Sequence, residues 1–218
     1  MALPTTLTNE LNVLLFRTYN GSSGDDILYG DFGLTFFGLA YSAPQNDVMH
    51  GGAGNDQIYG NAGNDQLFGD QGNDFLDGGL GNDQLTGGAG ADALQGEDGA
   101  DQYHYTAASD SLLAQHDVVG GFDFTSDRFH FDGAPVLSTS TRSFESTSVR
   151  ALDLLLGFVM RDAEVDEAAL VRLTGAVEGT YLVVDRNGVA GFQANGDIVI
   201  ELVGAIHLDR FGFEDVSA

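Results

Sequence analysis

An apolar residue recurs every nine positions along the middle of the chain: Ile58, Leu67, Leu76, Leu85, Leu94 and Tyr103, separated by polar, glycine-rich stretches. Each falls in the eighth place of a nonapeptide. From Gly51 the units read GGAGNDQIY, GNAGNDQLF, GDQGNDFLD, GGLGNDQLT, GGAGADALQ and GEDGADQYH, without insertion. GSSGDDILY from Gly21 is complete as well. GDFGLTFFG from Gly30 has Thr35 in the sixth place, SAPQNDVMH from Ser42 keeps only the end of the pattern, and Leu39 to Tyr41 are inserted between them. Including these units, the eighth place holds Leu28, Phe37, Met49, Ile58, Leu67, Leu76, Leu85, Leu94 and Tyr103. Fixed-period repeats of this kind signal a solenoid, whose units bury their apolar faces by stacking.

The glycines of the first and fourth places allow positive φ, so the first six residues make a tight turn. The last three form a short strand whose central residue points inward. Two units complete one coil, which predicts a right-handed parallel β-roll with a thin core in an all-β-dominated chain. One wall is expected to hold Leu28, Met49, Leu67, Leu85 and Tyr103. The opposite wall would hold Phe37, Ile58, Leu76 and Leu94. Gln66, Gln84 and Gln102 would form an outward amide ladder.

Past Tyr105 the pattern changes. His116 to Gly133 predicts two strands capping the roll, and Thr139 to Ser148, rich in Ser and Thr, predicts a loop. Val149 to Leu173 carries a helical pattern, with Leu152, Leu155, Leu156 and Val159 on one face, and Glu164 to Glu167 is expected to be solvated. The final segment, from Gly179, reads as strand, polar turn, strand and a closing apolar stretch. The organisation expected is a lead-in over 1–20, a β-roll over 21–104 and a β-rich capping region with one helix over 105–218.

Composition narrows the function. The 218 residues include 33 acidic and 8 basic ones, a net charge of −25, and no cysteine. Such a chain does not suit a phosphate backbone, which asks for clustered Lys and Arg, so no nucleic-acid partner is expected. Disulfides, thiolate chemistry and Cys-ligated zinc are excluded. The longest apolar run, Leu154 to Met160, is far short of the roughly 20 residues of a membrane helix. MALPTTLTNELNVLLF lacks the layout of a signal peptide.

The chemistry lies in the sixth place, held by Asp26, Asp47, Asp56, Asp65, Asp74, Asp83, Asp92 and Asp101. Stacked turns bring such carboxylates to about 4.8 Å, the strand spacing, where like charges repel. A hard divalent cation between turns reverses the sign. Calcium takes six to eight oxygens, which glycine-rich turns supply as carbonyls, whereas magnesium demands stricter octahedral geometry. Transition metals prefer His and Cys ligands that the repeats lack. The alternative is that the aspartates merely cap turns.

These units resemble the repeats-in-toxin (RTX) family, whose calcium motif is G-G-x-G-x-D-x-U-x. The resemblance implies ions between turns two units apart, at the pairs Asp26/Asp47, Asp47/Asp65, Asp56/Asp74, Asp65/Asp83, Asp74/Asp92 and Asp83/Asp101. Carbonyls of the first four places would complete the ligand sets: Gly51, Gly52, Ala53 and Gly54; Gly60, Asn61, Ala62 and Gly63; Gly69, Asp70, Gln71 and Gly72; Gly78, Gly79, Leu80 and Gly81; then Gly87, Ala89, Gly96 and Asp98. That amounts to about four to six calcium ions, with the first two pairs weakened by the irregular units.

His116 to Gly133 resembles the stretch that follows the repeats in secreted RTX proteins, with Asp117, Phe122 and Asp127 matching and Gly121 and His130 standing where aspartates occur. The C-terminal segment resembles that of some S-layer and other type I-secreted RTX proteins. There Asp185, Asn187 and Asp197 fall on a turn that reads either as a calcium loop or as an ordinary Asn-Gly hairpin.

The resemblance further implies export by a type I secretion machinery, a secreted or cell-surface location, and folding on calcium outside the cell. No H-E-x-x-H or G-x-S-x-G is present, and His50, His104, His116, His130 and His207 are scattered, so no catalysis is expected. The leading expectation is a non-catalytic calcium-binding module with a surface, matrix or anchoring role. The alternatives are the folding and secretion module of a larger protease, lipase or epimerase, or an adhesin or S-layer component that binds glycan or its own copies.

Overall fold

The nonapeptide frame carries the chain back and forth between two sheets, one strand per unit. The computed structural model describes residues 17–30, 35–36, 39–40, 45–132, 138–146, 167–175, 179–185, 192–193, 197–204 and 216–217. The strands are β1 (Arg17–Asn20), β2 (Ile27–Tyr29), β3 (Thr35–Phe36), β4 (Leu39–Ala40), β5 (Asp47–Ala53), β6 (Gln57–Tyr59), β7 (Gln66–Gln71), β8 (Phe75–Leu80) and β9 (Gln84–Ala89). They continue as β10 (Ala93–Asp98), β11 (Gln102–Tyr105), β12 (Asp117–Gly120), β13 (Arg128–Phe131), β14 (Ser138–Ser146), β15 (Glu167–Gly175), β16 (Gly179–Val184), β17 (Ile198–Val203) and β18 (Val216–Ser217).

One sheet runs β1-β5-β7-β9-β11-β13-β18, parallel throughout. The other runs β14-β15-β16-β17-β12-β10-β8-β6-β2 and is parallel from β2 to β17. The chain is therefore a parallel β-roll, and both of its sheets extend into residues beyond 104. Among the described residues the only helical piece is a 3₁₀ turn at Ala108–Asp110, and no helix is long and apolar enough to cross a membrane.

The core is the eighth-place column of each sheet. Met49, Leu67 and Leu85 face Ile58, Leu76 and Leu94, all fully buried. Two rows of aliphatic side chains make a thin core, and its C-terminal end is closed by aromatic rings. Tyr103, Tyr105, Phe122, Phe124, Phe129 and Phe131 are buried together, with Phe122 and Phe129 stacked at 4.5 Å. A second apolar cluster, including Ala169, Val171, Leu173, Tyr181, Val183 and Val199, covers the far side of the β15–β17 strands. The outward Gln66, Gln84 and Gln102 stand in register, as the ladder requires.

The N-terminal registers depart from the expected ones. Leu28 pairs with Ile58, not with Met49, and so belongs to the opposite wall. Its place beside Met49 is taken by Tyr19 of β1, within the segment expected to be a lead-in. Both pairs are 30 residues apart instead of 18, an excess of 12, which equals one nonapeptide plus the three-residue insertion. The unit with Thr35 in place of aspartate is thus looped out of the roll. Thr35–Phe36 and Leu39–Ala40 pair instead as an antiparallel hairpin. The inward placement expected of Phe37 lies outside the described residues.

Two expectations for the C-terminal half change as well. The stretch Thr139 to Ser148, expected as a loop, is strand β14 as far as Ser146, parallel to β15. Nine consecutive backbone pairings outweigh the turn preference of Ser and Thr, and β-branched Thr suits a strand. The helical pattern over 149–173 ends in strand: residues 167–173 belong to β15, where the antiparallel ladder with β16 buries Ala168 through Val171 on both faces. Leu152, Leu155, Leu156, Val159 and, of the stretch expected to be solvated, Glu164 to Asp166 lie outside the described residues.

Candidate metal centre

Each sixth-place aspartate precedes or begins a strand, so the sheet register stacks the carboxylates into two columns. One comprises Asp26, Asp56, Asp74, Asp92 and Asp117; the other Asp47, Asp65, Asp83, Asp101 and Asp127. Within each column, Oδ1 of one aspartate accepts the backbone N–H of the aspartate one coil earlier. The donor–acceptor distances are 2.7 Å from Asp26 to Asp56, 2.8 Å from Asp56 to Asp74 and from Asp74 to Asp92, and 2.9 Å from Asp92 to Asp117. The second column repeats this at 2.7 Å (Asp47 to Asp65), 2.8 Å (Asp65 to Asp83), 2.9 Å (Asp83 to Asp101) and 3.1 Å (Asp101 to Asp127).

This corrects the expected pairing of Asp26 with Asp47. The looped-out unit puts the two residues in different columns, and Asp26 stacks on Asp56. The pairs Asp47/Asp65, Asp56/Asp74, Asp65/Asp83, Asp74/Asp92 and Asp83/Asp101 are brought together.

Asp117 and Asp127 are column members that the nonapeptide search passes over. Their spacings from Asp92 and Asp101 are 25 and 26 residues, not 18. The local signal was present nonetheless: Asp117-Val118-Val119 and Asp127-Arg128-Phe129 repeat the sequence of aspartate, outward residue and buried apolar residue found in places six to eight.

The ladder uses one oxygen per carboxylate. The Oδ2 atoms of Asp56, Asp74, Asp83, Asp92, Asp101 and Asp117 are buried without a hydrogen-bond partner. An orphaned buried carboxylate oxygen is costly, and six in two rows mark a systematic need for positive charge.

The surrounding turns are lined with oxygen. A β-carbon built on Gly69 would collide with Asp74 Oδ2 and the Gly87 carbonyl, and one on Gly60 with Asp65 Oδ2 and the Gly78 carbonyl. Gly72, at φ +139°, leaves no room between its α-carbon and the Gly54 carbonyl. Asn61 and Asp70, in the second place, adopt positive φ without being glycine, and their carbonyls abut Gly79 and Gly88 one coil later. Third-place carbonyls also bind between coils, since Gln71 and Leu80 accept the amides of Gly54 and Gly63 at 2.9 Å.

Among the described residues no three acidic or histidine side chains converge on one point. A cation here would therefore take two carboxylates from its column and the remainder from carbonyls, a donor set of hard oxygen that fits calcium.

Burial shifts these acids strongly. Desolvation, reinforced by Asp92 and Asp56, pushes Asp74 up to about 7 against the pull of the Asp56 amide. Asp83, Asp92 and Asp101 are pushed up to about 6, again chiefly by burial. Asp56, Asp117 and Asp127 move in the same direction.

At the C-terminal turn, Asp185 and Asp197 are buried at the base of the β16–β17 hairpin, and Asp197 Oδ2 accepts the Gln193 amide at 2.6 Å. Asn187 lies outside the described residues. Of the histidines, His104 and His130 are register partners on the outer face, with ring centroids 4.7 Å apart.

Comparison with known proteins gives a match to the RTX calcium-binding nonapeptide repeat (4 copies) over residues 18–33, 41–76 and 77–112. No curated protein matches significantly. Among solved structures, the chain is similar to the AlgE6R3 subunit of the Azotobacter vinelandii mannuronan C5-epimerase, at 22% identity and a TM-score of 0.44, covering 90% of this chain and 79% of that one. The AlgE6R2 subunit of the same enzyme gives 23% identity and a TM-score of 0.40, covering 90% and 89%.

Proposed function

We propose that this chain, which carries RTX calcium-binding nonapeptide repeats between residues 18 and 112, is a secreted module that folds on calcium outside the cell and has a non-catalytic surface, matrix or anchoring role. RTX nonapeptide repeats bind calcium. The finer reading assigns the ions to the two aspartate columns. Six stacked pairs join the sixth-place aspartates of the repeats: Asp26/Asp56, Asp56/Asp74, Asp74/Asp92, Asp47/Asp65, Asp65/Asp83 and Asp83/Asp101. Carbonyls of Gly51, Gly60, Gly69, Gly78 and their neighbours complete the donor sets. Bound calcium supplies the positive charge that lets these carboxylates stay ionised while buried.

The observation that supports this reading is the row of orphaned Oδ2 atoms. Without cations the columns repel and the chain stays extended, in a state suited to threading through a type I export channel. Where calcium is abundant, it binds the folded form alone and draws the equilibrium over by mass action. Export and an extracellular location follow from this coupling of folding to calcium.

The test is a calcium titration of chelator-treated protein followed by far-UV circular dichroism, with magnesium as control. A cooperative gain of β signal with calcium and none with magnesium is expected. A spectrum already folded in chelator and unchanged by calcium would overturn the reading.

A further inference from the structure

The outer faces of the two sheets differ. On one sheet the outward seventh place is the amide row Gln66, Gln84 and Gln102. On the other it reads Ile27, Gln57, Phe75 and Ala93 along the neighbouring strands β2, β6, β8 and β10, with Tyr29 and Tyr59 outward in the ninth place. Ile27 is 50% and Tyr29 43% exposed, and Tyr59 and Phe75 are half-buried. The core does not require these side chains, because Leu28, Ile58 and Leu76 fill the inward place of the same strands.

The rings form a row across three strands. Tyr29 stacks on Tyr59 with centroids 5.0 Å apart, and Tyr59 leans on Phe75 at 5.6 Å. Beyond Phe75 the row stops, since its register partner there is Ala93, whose methyl is too small to cover a ring. A shallow depression of about 480 Å³ opens at this point, lined by Asn55, Gln57, Tyr59, Asn73, Phe75, Ala91 and Ala93 and bordered by the column residues Asp56 and Asp74. Ala91 and Ala93 stand where the unit from Gly51 has Asn55 and Gln57, so two shortened side chains make the room.

Polar groups border the rings. Asn55 and Asn73 use their Oδ1 atoms to accept the amides of Asn73 and Ala91, at 2.8 and 2.9 Å, which leaves each NH2 group as a donor. Gln57 Oε1 accepts the Tyr59 hydroxyl at 3.2 Å and likewise keeps its NH2. Asp77, the register partner of Tyr59 on the same face, adds a carboxylate acceptor. No Lys or Arg occurs between Thr18 and Asp127.

Each feature restricts the partner. An aromatic ring attracts aliphatic C–H groups, while amide donors and a carboxylate acceptor suit hydroxyls. A face without a basic residue, on a chain of net charge −25, repels anions and a second copy of itself. A sugar without charge has the C–H face and the hydroxyls together. We infer that this face binds a neutral glycan, with one pyranose on Phe75 over Ala93, its hydroxyls on the amides of Asn55, Asn73 and Gln57, and further sugars along the ring row toward Tyr29. The inference rests on the surface or matrix role proposed above and gives that role a partner.

The test is affinity electrophoresis of the full chain in calcium through native gels containing a neutral β-glucan, galactomannan or dextran. Hyaluronan serves as the anionic control and chitosan as the cationic one. Retardation by at least one neutral polysaccharide and none by hyaluronan is expected. F75A should weaken the apparent affinity about tenfold, equivalent to ~1.4 kcal/mol. A93Q, which restores the glutamine of the repeat and fills the depression, should weaken it as well. F68A, which removes the ring stacked on His50 outside the other sheet, should run as wild type. Circular dichroism in calcium reports whether each variant folds, and if F75A does not, A93Q decides. Free migration in all three neutral gels, retention by hyaluronan, retention by chitosan alone, or wild-type retention of folded F75A and A93Q overturns the inference. Protein that does not fold on calcium fails the proposed function, whereas protein that folds on calcium and is not retarded fails the glycan site alone.

Discussion

The backbone amide of Asp74 donates to Oδ1 of Asp92 at 2.8 Å, so the aspartate of one coil fixes the position of the next through one oxygen and leaves the other facing the turn. Asn at position 92 keeps the ladder acceptor and removes the anionic oxygen. D92N is therefore expected to stay in register while losing calcium affinity, raising the midpoint of calcium-induced folding. Loss of one ion held at 100 times its dissociation constant corresponds to about 2.7 kcal/mol. Chemical denaturation at fixed calcium measures it.

The glycines of the turns are not equivalent. Gly72 has φ +139° and no space before the Gly54 carbonyl, whereas Gly24 meets nothing within 4 Å. G72A is expected to cost more than 2 kcal/mol, roughly the penalty of one strained backbone position plus displacement of the neighbouring coil. G24A should be nearly neutral. Equal thermal melting of the two variants in calcium would contradict this.

Proton binding gives the apo protein its own pH dependence. Burial holds Asp74 up to about 7 and Asp83, Asp92 and Asp101 up to about 6 when no metal is bound. An acid whose folded pKa exceeds its unfolded value contributes stability that is complete below the unfolded value, about 4, and lost as pH rises through the folded one. Chelated protein should thus gain β structure on going from about pH 8 to about pH 5. Protons and calcium compete for the same oxygens, so the apparent dissociation constant of calcium from the folded protein should rise over the same interval. Circular dichroism of chelated protein across pH reads the first effect and calcium-binding isotherms read the second.

The 30-residue register at the N-terminal end can be tested by cross-linking. The chain has no native cysteine, and Thr18 pairs with Val48 on adjacent parallel strands, a spacing of about 4.8 Å that a disulfide spans. T18C/V48C should oxidise to an intramolecular bond in calcium. Pairing Ile27 and Val48 in the same way should not, because Ile27 belongs to the other sheet. Mass spectrometry after oxidation distinguishes them.

What the sequence made legible was whatever repeats. The eighth-place column from Met49 to Tyr103 and the aspartates from Asp47 to Asp101 follow from period nine alone, because each coil is positioned only by its neighbours. Where period and contact separate, pattern reading fails. Leu28 has the right residue in the right place of its unit, yet its partner is set by a twelve-residue excursion that only backbone pairing reveals. Asp117 and Asp127 sit at irregular spacings and are aligned by the strands that follow them. Residues 138–146 resemble a loop in composition and become a strand because β15 offers a complete edge, information no local window contains.

The turn from Gly30 to Asp47 accommodates a hairpin while the coils on either side keep their stacking. A fold whose register is transmitted only between adjacent coils can host foreign chain in any single turn at the expense of that turn's metal alone. The roll is in this sense a chassis: it can acquire a new recognition element as a lateral graft at one corner, with the rest of the column still able to assemble.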